Sequence, residues 1–157
     1  MKAKEMIMKC SIARTFTMAA VTALALGIAP TAKADDKGCS NATLQGTFAY
    51  TATGWINFAV AEAYAETGAQ TFDGQGVTGA TAAASQNGII FAVTITGTYT
   101  VNPDCTGTFT LQFYPKAQTV HFFFVIDDSG NGFQAIQTDP GFVITRIGRR
   151  LVPGRVI

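Results

Sequence analysis

His121 is the one histidine of the 157-residue chain, so a three-histidine zinc centre is excluded. A serine–histidine–aspartate triad has its residue types present, but no G-x-S-x-G elbow accompanies them. Asp73, Asp127, Asp128 and Asn131 are acidic or amide residues in turn-like stretches. They lack the twelve-residue spacing of a calcium loop, and aspartate in such turns ordinarily caps its own backbone. No glycine-rich loop follows a strand and opens a helix, so nucleotide binding is unsupported. No metal ligand is assigned and no cofactor is expected. His121 and Tyr99 remain as the candidate acid–base side chains, and neither stands in a motif.

Cysteine usage points to a compartment. Cys39 and Cys105 form an even pair in a small domain, which in an oxidising environment is most simply a disulfide. No CxxC spacing or nearby histidine supports a free catalytic thiol. The start of the chain agrees with export. Lys2, Lys4, Lys9 and Arg14 precede an apolar stretch from Phe16 to Ala29, then Pro30 and Ala32-Lys33-Ala34. That is the order of a secretory signal peptide, and its apolar part is shorter than the roughly 20 residues a membrane helix needs. Residues 1–34 are therefore expected to be removed. The mature chain 35–157, with no membrane-spanning helix, would be periplasmic or extracellular.

Residues 35–157 carry six positive charges against nine negative ones, a net of −3. A mildly acidic domain lacks the basic stripe that nucleic acid requires. Arg146, Arg149, Arg150 and Arg155 gather at the C-terminus, without interleaved aromatics, and read as a solvated tail. The length suits one domain with its own core, and eleven phenylalanines exclude disorder.

The elements that must position these side chains are strands. Ile89, Phe91, Val93, Ile95, Gly97, Tyr99 and Val101 share one parity, and threonines fill most of the other, the period of a strand with one buried face. Asn102-Pro103-Asp104 turns the chain, and Phe109, Leu111 and Phe113 face inward on the next strand, with Cys105 on the same parity. Leu44–Thr53, Thr67–Asp73, Val77–Ala84, Val120–Ile126, Phe133–Thr138 and Phe142–Ile147 read as further strands. Asp73-Gly74-Gln75-Gly76 is a hairpin signal whose glycines can take positive φ. About eight strands with short connections predict an all-β fold, a small antiparallel up-and-down barrel, with a β-sandwich as the alternative. The stretch Gly54 to Glu66, with Trp55, Phe58, Val60 and Tyr64, reads as a helical turn or an irregular flap over the barrel mouth.

The inward set is aromatic: Phe48, Tyr50, Phe72, Phe91, Tyr99, Phe109 and Phe113. A barrel of this size is either packed solid or hollow. In the hollow case Tyr50, Tyr99, Phe91 and Phe113, with Trp55 at the mouth, are the candidate ligand-binding residues. The strand Val120–Ile126 is apolar on both faces, so its pattern does not choose a side for His121. Phe122 to Phe124 must leave an aromatic outside, to be covered by the flap, the tail or a second subunit, and the last case makes a homo-oligomer.

The runs Thr71-Phe72-Asp73-Gly74-Gln75-Gly76 and Gly97-Thr98-Tyr99-Thr100-Val101-Asn102-Pro103-Asp104-Cys105-Thr106-Gly107-Thr108 resemble a group of small exported bacterial β proteins of unassigned function. The likeness extends loosely from Cys39 to about Thr145. It implies export and a compact β fold, and no activity. At fold level alone the eight-strand pattern also looks like a calycin-type barrel. Three functions follow: a binding protein for an apolar or aromatic small molecule, a small-barrel cyclase or isomerase using Tyr50, Tyr99 and His121, or a structural protein with a solid core.

Overall fold

Strict alternation of buried and exposed residues carries the chain through eight strands that close on themselves. The computed structural model describes residues 38–56 and 60–151, and the expected export segment 1–34 lies outside them. The strands are β1 (Gly46–Ile56), β2 (Glu62–Phe72), β3 (Val77–Gln86), β4 (Ile89–Val101), β5 (Thr106–Tyr114), β6 (Gln118–Asp127), β7 (Gly132–Gln137) and β8 (Phe142–Arg150). Each pairs antiparallel with the next, and β8 pairs with β1, so the sheet is a closed barrel without free edges. Among the described residues no helix is long and apolar enough to cross a membrane.

The two ends differ. At one end a 3-10 turn, Asn41–Leu44, seats Leu44 in the core as a plug. Asn41 accepts the Val101 N–H at 2.8 Å and donates to the Gln75 carbonyl at 3.2 Å. The guanidinium of Arg150 donates to the Thr43 and Gly130 carbonyls at 3.0 and 2.6 Å, and to that of Gln45. The Cys39–Cys105 disulfide, with its Cα atoms 4.9 Å apart, ties the segment before the plug to the β4–β5 turn. The β2–β3 hairpin completes this end. Asp73 accepts from the N–H groups of Gln75, Gly76 and Val77 at 2.7, 2.9 and 2.9 Å, while Gly74 and Gly76 take φ of 84° and 122°. Those donors, Gln75 first, hold the Asp73 carboxyl below its ordinary pKa.

Four local expectations are corrected. Most of Gly54 to Glu66 is strand and not flap: β1 continues to Ile56 and β2 starts at Glu62, with Trp55 opposite Ala63. Gly54 takes an inward position and so hides the alternation, and Phe58 lies outside the described residues. Leu44 belongs to the plug and not to β1. Cys105 sits in a turn at φ 67° and not on the inward face of β5. Three of the four C-terminal arginines form no tail: Arg146, Arg149 and Arg150 belong to β8, and Arg146 is 0% exposed, while Arg155 lies outside the described residues. On β6 the inward residues are Val120, Phe122, Phe124 and Ile126, which puts His121 and Phe123 outside.

The bridge spans a sequence separation of 66, for which loop closure gives about 4 kcal/mol. The Cys39→Ser/Cys105→Ser chain is expected to lose stability on that scale in urea unfolding, and the native chain to resist alkylation without reductant. Labelling of both cysteines in the native chain would remove the bridge from the account.

Candidate ligand cavity

Inside the barrel, side-chain size alternates across neighbouring strands, as small barrels require. Tyr50 on β1 stands between Gly68 of β2 and Gly148 of β8. One row away Ala52 stands between Glu66 and Arg146. These two charged residues are separated by two strand spacings, about 9.5 Å of sheet, and the small Ala52 lets them meet above it. Arg146 Nη2 lies 3.0 Å from Glu66 Oε1, with both side chains at most 1% exposed.

Every neighbour of this pair serves it. The Tyr50 hydroxyl donates to Glu66 Oε1, and the Tyr64 hydroxyl to Oε2 at 2.6 Å. Arg146 Nη1 donates to Gln70 Oε1 at 3.3 Å, and Gln70 passes its own N–H to Thr78 at 3.0 Å. The face of Tyr50 lies 3.9 Å from Arg146 Cζ, a cation–π contact in a desolvated place. Burial first, with the Glu66 charge adding and Arg146 opposing, pushes the Tyr50 and Tyr64 hydroxyls far above their ordinary pKa. Among the described residues Nε of Arg146 has no hydrogen-bond partner.

This polar layer divides the interior. Toward the plugged end the barrel is solid, with Phe48, Phe72, Tyr99, Phe109, Phe124 and Phe133 in ring contacts of 4.2 to 5.8 Å. A Cβ on Gly107 would stand 2.3 Å from the Phe124 ring, so the glycine makes room for that ring. Toward the other end the barrel is hollow, with a cavity of about 100 Å³. Arg146, Glu66 and Phe122 form its floor, Phe91, Phe113, Phe142, Val93 and Ile144 its walls. At the mouth Lys116 donates to Gln86 at 3.1 Å and lies 5.5 Å above the Phe91 ring.

The sequence-derived candidates separate accordingly. Phe91 and Phe113 line the cavity. Tyr50 braces the floor from beneath. Tyr99 does not reach the cavity: its hydroxyl donates to the Asn41 carbonyl at 3.0 Å and accepts from Gly74 N–H at 2.9 Å, fastening the plug. Trp55 has the outward parity of β1 and is 52% exposed, so it is not a mouth residue. His121 is on the outer wall, its Nδ1 2.7 Å from Asp139 Oδ1 and its side chain 53% exposed. Burial opposes the charge on Asp139, but donors from His121 and Gln137 outweigh it and hold the carboxyl below its ordinary pKa. Tyr50, Tyr99 and His121 therefore do not converge on one reacting point. Glu66, Arg146, Tyr64 and Phe142 were missed, though parity carries the signal: Tyr64, Glu66, Gln70 and Phe72 share one face, as do Phe142, Ile144 and Arg146.

No family model matches the chain, and no curated protein does. Among solved structures it is similar to a redesigned β-barrel, mFAP1, bound to DFHBI. The two share 18% identity and a TM-score of 0.51 over 70% of this chain and 97% of that one. At that identity the likeness establishes the barrel fold.

Two tests follow from the floor. Removing one partner of a buried ion pair costs about 3–5 kcal/mol because the other charge is stranded, whereas removing both is far milder. Arg146→Met alone is expected to lose that amount in chemical unfolding and Arg146→Met/Glu66→Gln to recover most of it, and equal losses for the two chains would contradict the coupling. For the tyrosines, the unfolded chain gives up hydroxyl protons near the ordinary pKa of 10.0. Folded Tyr50 and Tyr64 keep theirs well beyond it, so the stability they hold is complete below pH 10 and is lost as pH rises toward the folded values. Tyrosinate absorbance of these two should appear together with the loss of the β circular-dichroism signal, and ionisation in the still-folded barrel would contradict their burial.

Proposed function

We propose that this chain is an exported, non-catalytic binding protein that holds a small, mainly apolar molecule in the open half of its barrel. The observation that carries this reading is the division of the interior: aromatic filling stops at the Arg146–Glu66 layer, and above it lies a cavity with phenylalanine walls. Apolar walls with a few placed polar groups are the usual composition of a small-molecule site. The similar barrel bound to DFHBI supports the reading. A cavity of about 100 Å³ is smaller than the roughly 150 Å³ of apolar space that holds benzene, so it limits the ligand to one small ring with its far end at the open mouth. Export is supported by the signal-like first 34 residues, the Cys39–Cys105 bridge and the resemblance to small exported bacterial proteins. The mature protein would act in the periplasm or outside the cell.

The test uses the chain as secreted. Intact mass should give a product beginning at Asp35, and a product retaining Phe16 to Ala29 would reject export by cleavage. That material should then be screened by thermal shift against single-ring aromatics, monoterpenes and short fatty acids. A ligand that binds only the folded state stabilises it by about 2.7 kcal/mol at about 100 times Kd. Hits are expected among the single-ring compounds, lost in Val93→Phe, which grows into the cavity. Trp55 emission should not move on binding, because the indole is on the outer wall. A screen without hits at millimolar concentration would refute the binding function.

A further inference from the structure

We infer that the molecule held in the cavity enters with a neutral hydrogen-bond acceptor leading, a ketone, aldehyde or ester carbonyl on a single ring, and that Arg146 Nε is the donor that selects it. The inference rests on the proposed binding function and names its ligand class. It starts from an imbalance at the cavity floor. The Glu66 carboxylate already takes three donors, from Tyr50, Tyr64 and Arg146. The Gln70 carbonyl oxygen is engaged by Arg146 Nη1 at 3.3 Å. On the donor side, the Arg146 side chain is 0% exposed, belongs to the floor, and has an Nε–H with no partner among the described residues. The floor thus offers a donor while its acceptors are occupied. A buried unpaired donor is costly, and more so when it is charged. A ligand oxygen that meets it recovers that loss.

Charge decides between neutral and anionic acceptors. Glu66 already balances Arg146 at 3.0 Å, so a carboxylate pressed against the floor would meet a second carboxylate across a short, poorly screened distance. A carbonyl oxygen takes the hydrogen bond without that repulsion. The walls add the rest: Phe91, Phe113 and Phe142 accept the faces and edges of a ring, while Gln86, Lys116, Gln118 and Gln137, which also line the cavity, can take a trailing polar group.

Three probes of matched size test this on the native mature chain: acetophenone, ethylbenzene and benzoate. Affinities come from titration calorimetry. Proton–nitrogen NMR follows the Arg146 Nε–H, assigned through its own side-chain carbons, so that no floor variant is needed. Acetophenone is expected to bind at least about tenfold tighter than ethylbenzene, the scale of one hydrogen bond to a charged donor, and to move the Nε–H resonance while ethylbenzene leaves it in place. Benzoate should bind more weakly than acetophenone. Equal affinities for acetophenone and ethylbenzene would overturn the selection by Arg146 and leave the apolar cavity standing. Tighter binding of benzoate would overturn the neutral class. No binding of any of the three at millimolar concentration would overturn the binding function together with its ligand class.

Discussion

Placing a guanidinium and a carboxylate in the middle of a barrel is expensive: each ion loses several kcal/mol of hydration that only close pairing and complete hydrogen bonding offset. Much of the architecture around Arg146 and Glu66 is what that cost demands. The two residues approach because β8, β1 and β2 are neighbours in a closed ring, and because the strand between them presents Ala52 in their row. A larger residue at Ala52 would stand where the two side chains cross. Tyr50 brings both a hydroxyl for Glu66 and a ring face for Arg146. Beside it, Gly148 leaves room for the Phe133 ring, which a Cβ there would meet at 2.1 Å. The alternation of large and small residues thus follows from one ion pair as well as from the barrel's taper.

The same layer explains why the barrel is half solid. Below it, rings pack against rings and the Asn41–Leu44 turn, Arg150 and the disulfide close the end. Above it the ring packing gives way to a cavity walled by Phe91, Phe113, Phe142, Val93 and Ile144, with Arg146 buried at its floor. A phenylalanine extended onto the floor would leave Arg146 Nε facing hydrocarbon with no acceptor to meet it. The hollow half and the polar floor are one feature.

Much of this fold was legible in the chain. Period-two alternation located most of β4, β5 and β8, and Asp73-Gly74-Gln75-Gly76 and Asn102-Pro103-Asp104 marked turns where the structure has them. The misses share a cause. Its charge makes Arg146 read as a solvated tail despite its parity with Phe142 and Ile144, and its partner Glu66 is 80 residues away. Only closure of β8 on β1 brings the two together, and no local pattern encodes that closure. Gly54 masked the end of β1, which turned Trp55 into a mouth residue on paper. Tyr99 was correctly assigned inward, but parity fixes the face and not the depth, and at the plugged end an inward tyrosine fastens a turn instead of meeting a ligand. Phe91 and Phe113 came out as cavity residues because their strands extend past the polar layer toward the mouth.

Depth along the barrel also bears on how well the floor is prepared for a ligand. Binding energy is lost when groups must be ordered on contact. Here the guanidinium is held by Glu66 and Gln70 and by the Tyr50 ring. Those residues rest on the close-packed aromatic half, and interiors at that density deform little. A ligand arriving through the mouth therefore meets an oriented donor that is already desolvated and anchored on several sides. The cost of assembling that donor was met during folding, by the burial of the phenylalanines beneath it. In this barrel the solid half is what gives the hollow half its chemistry.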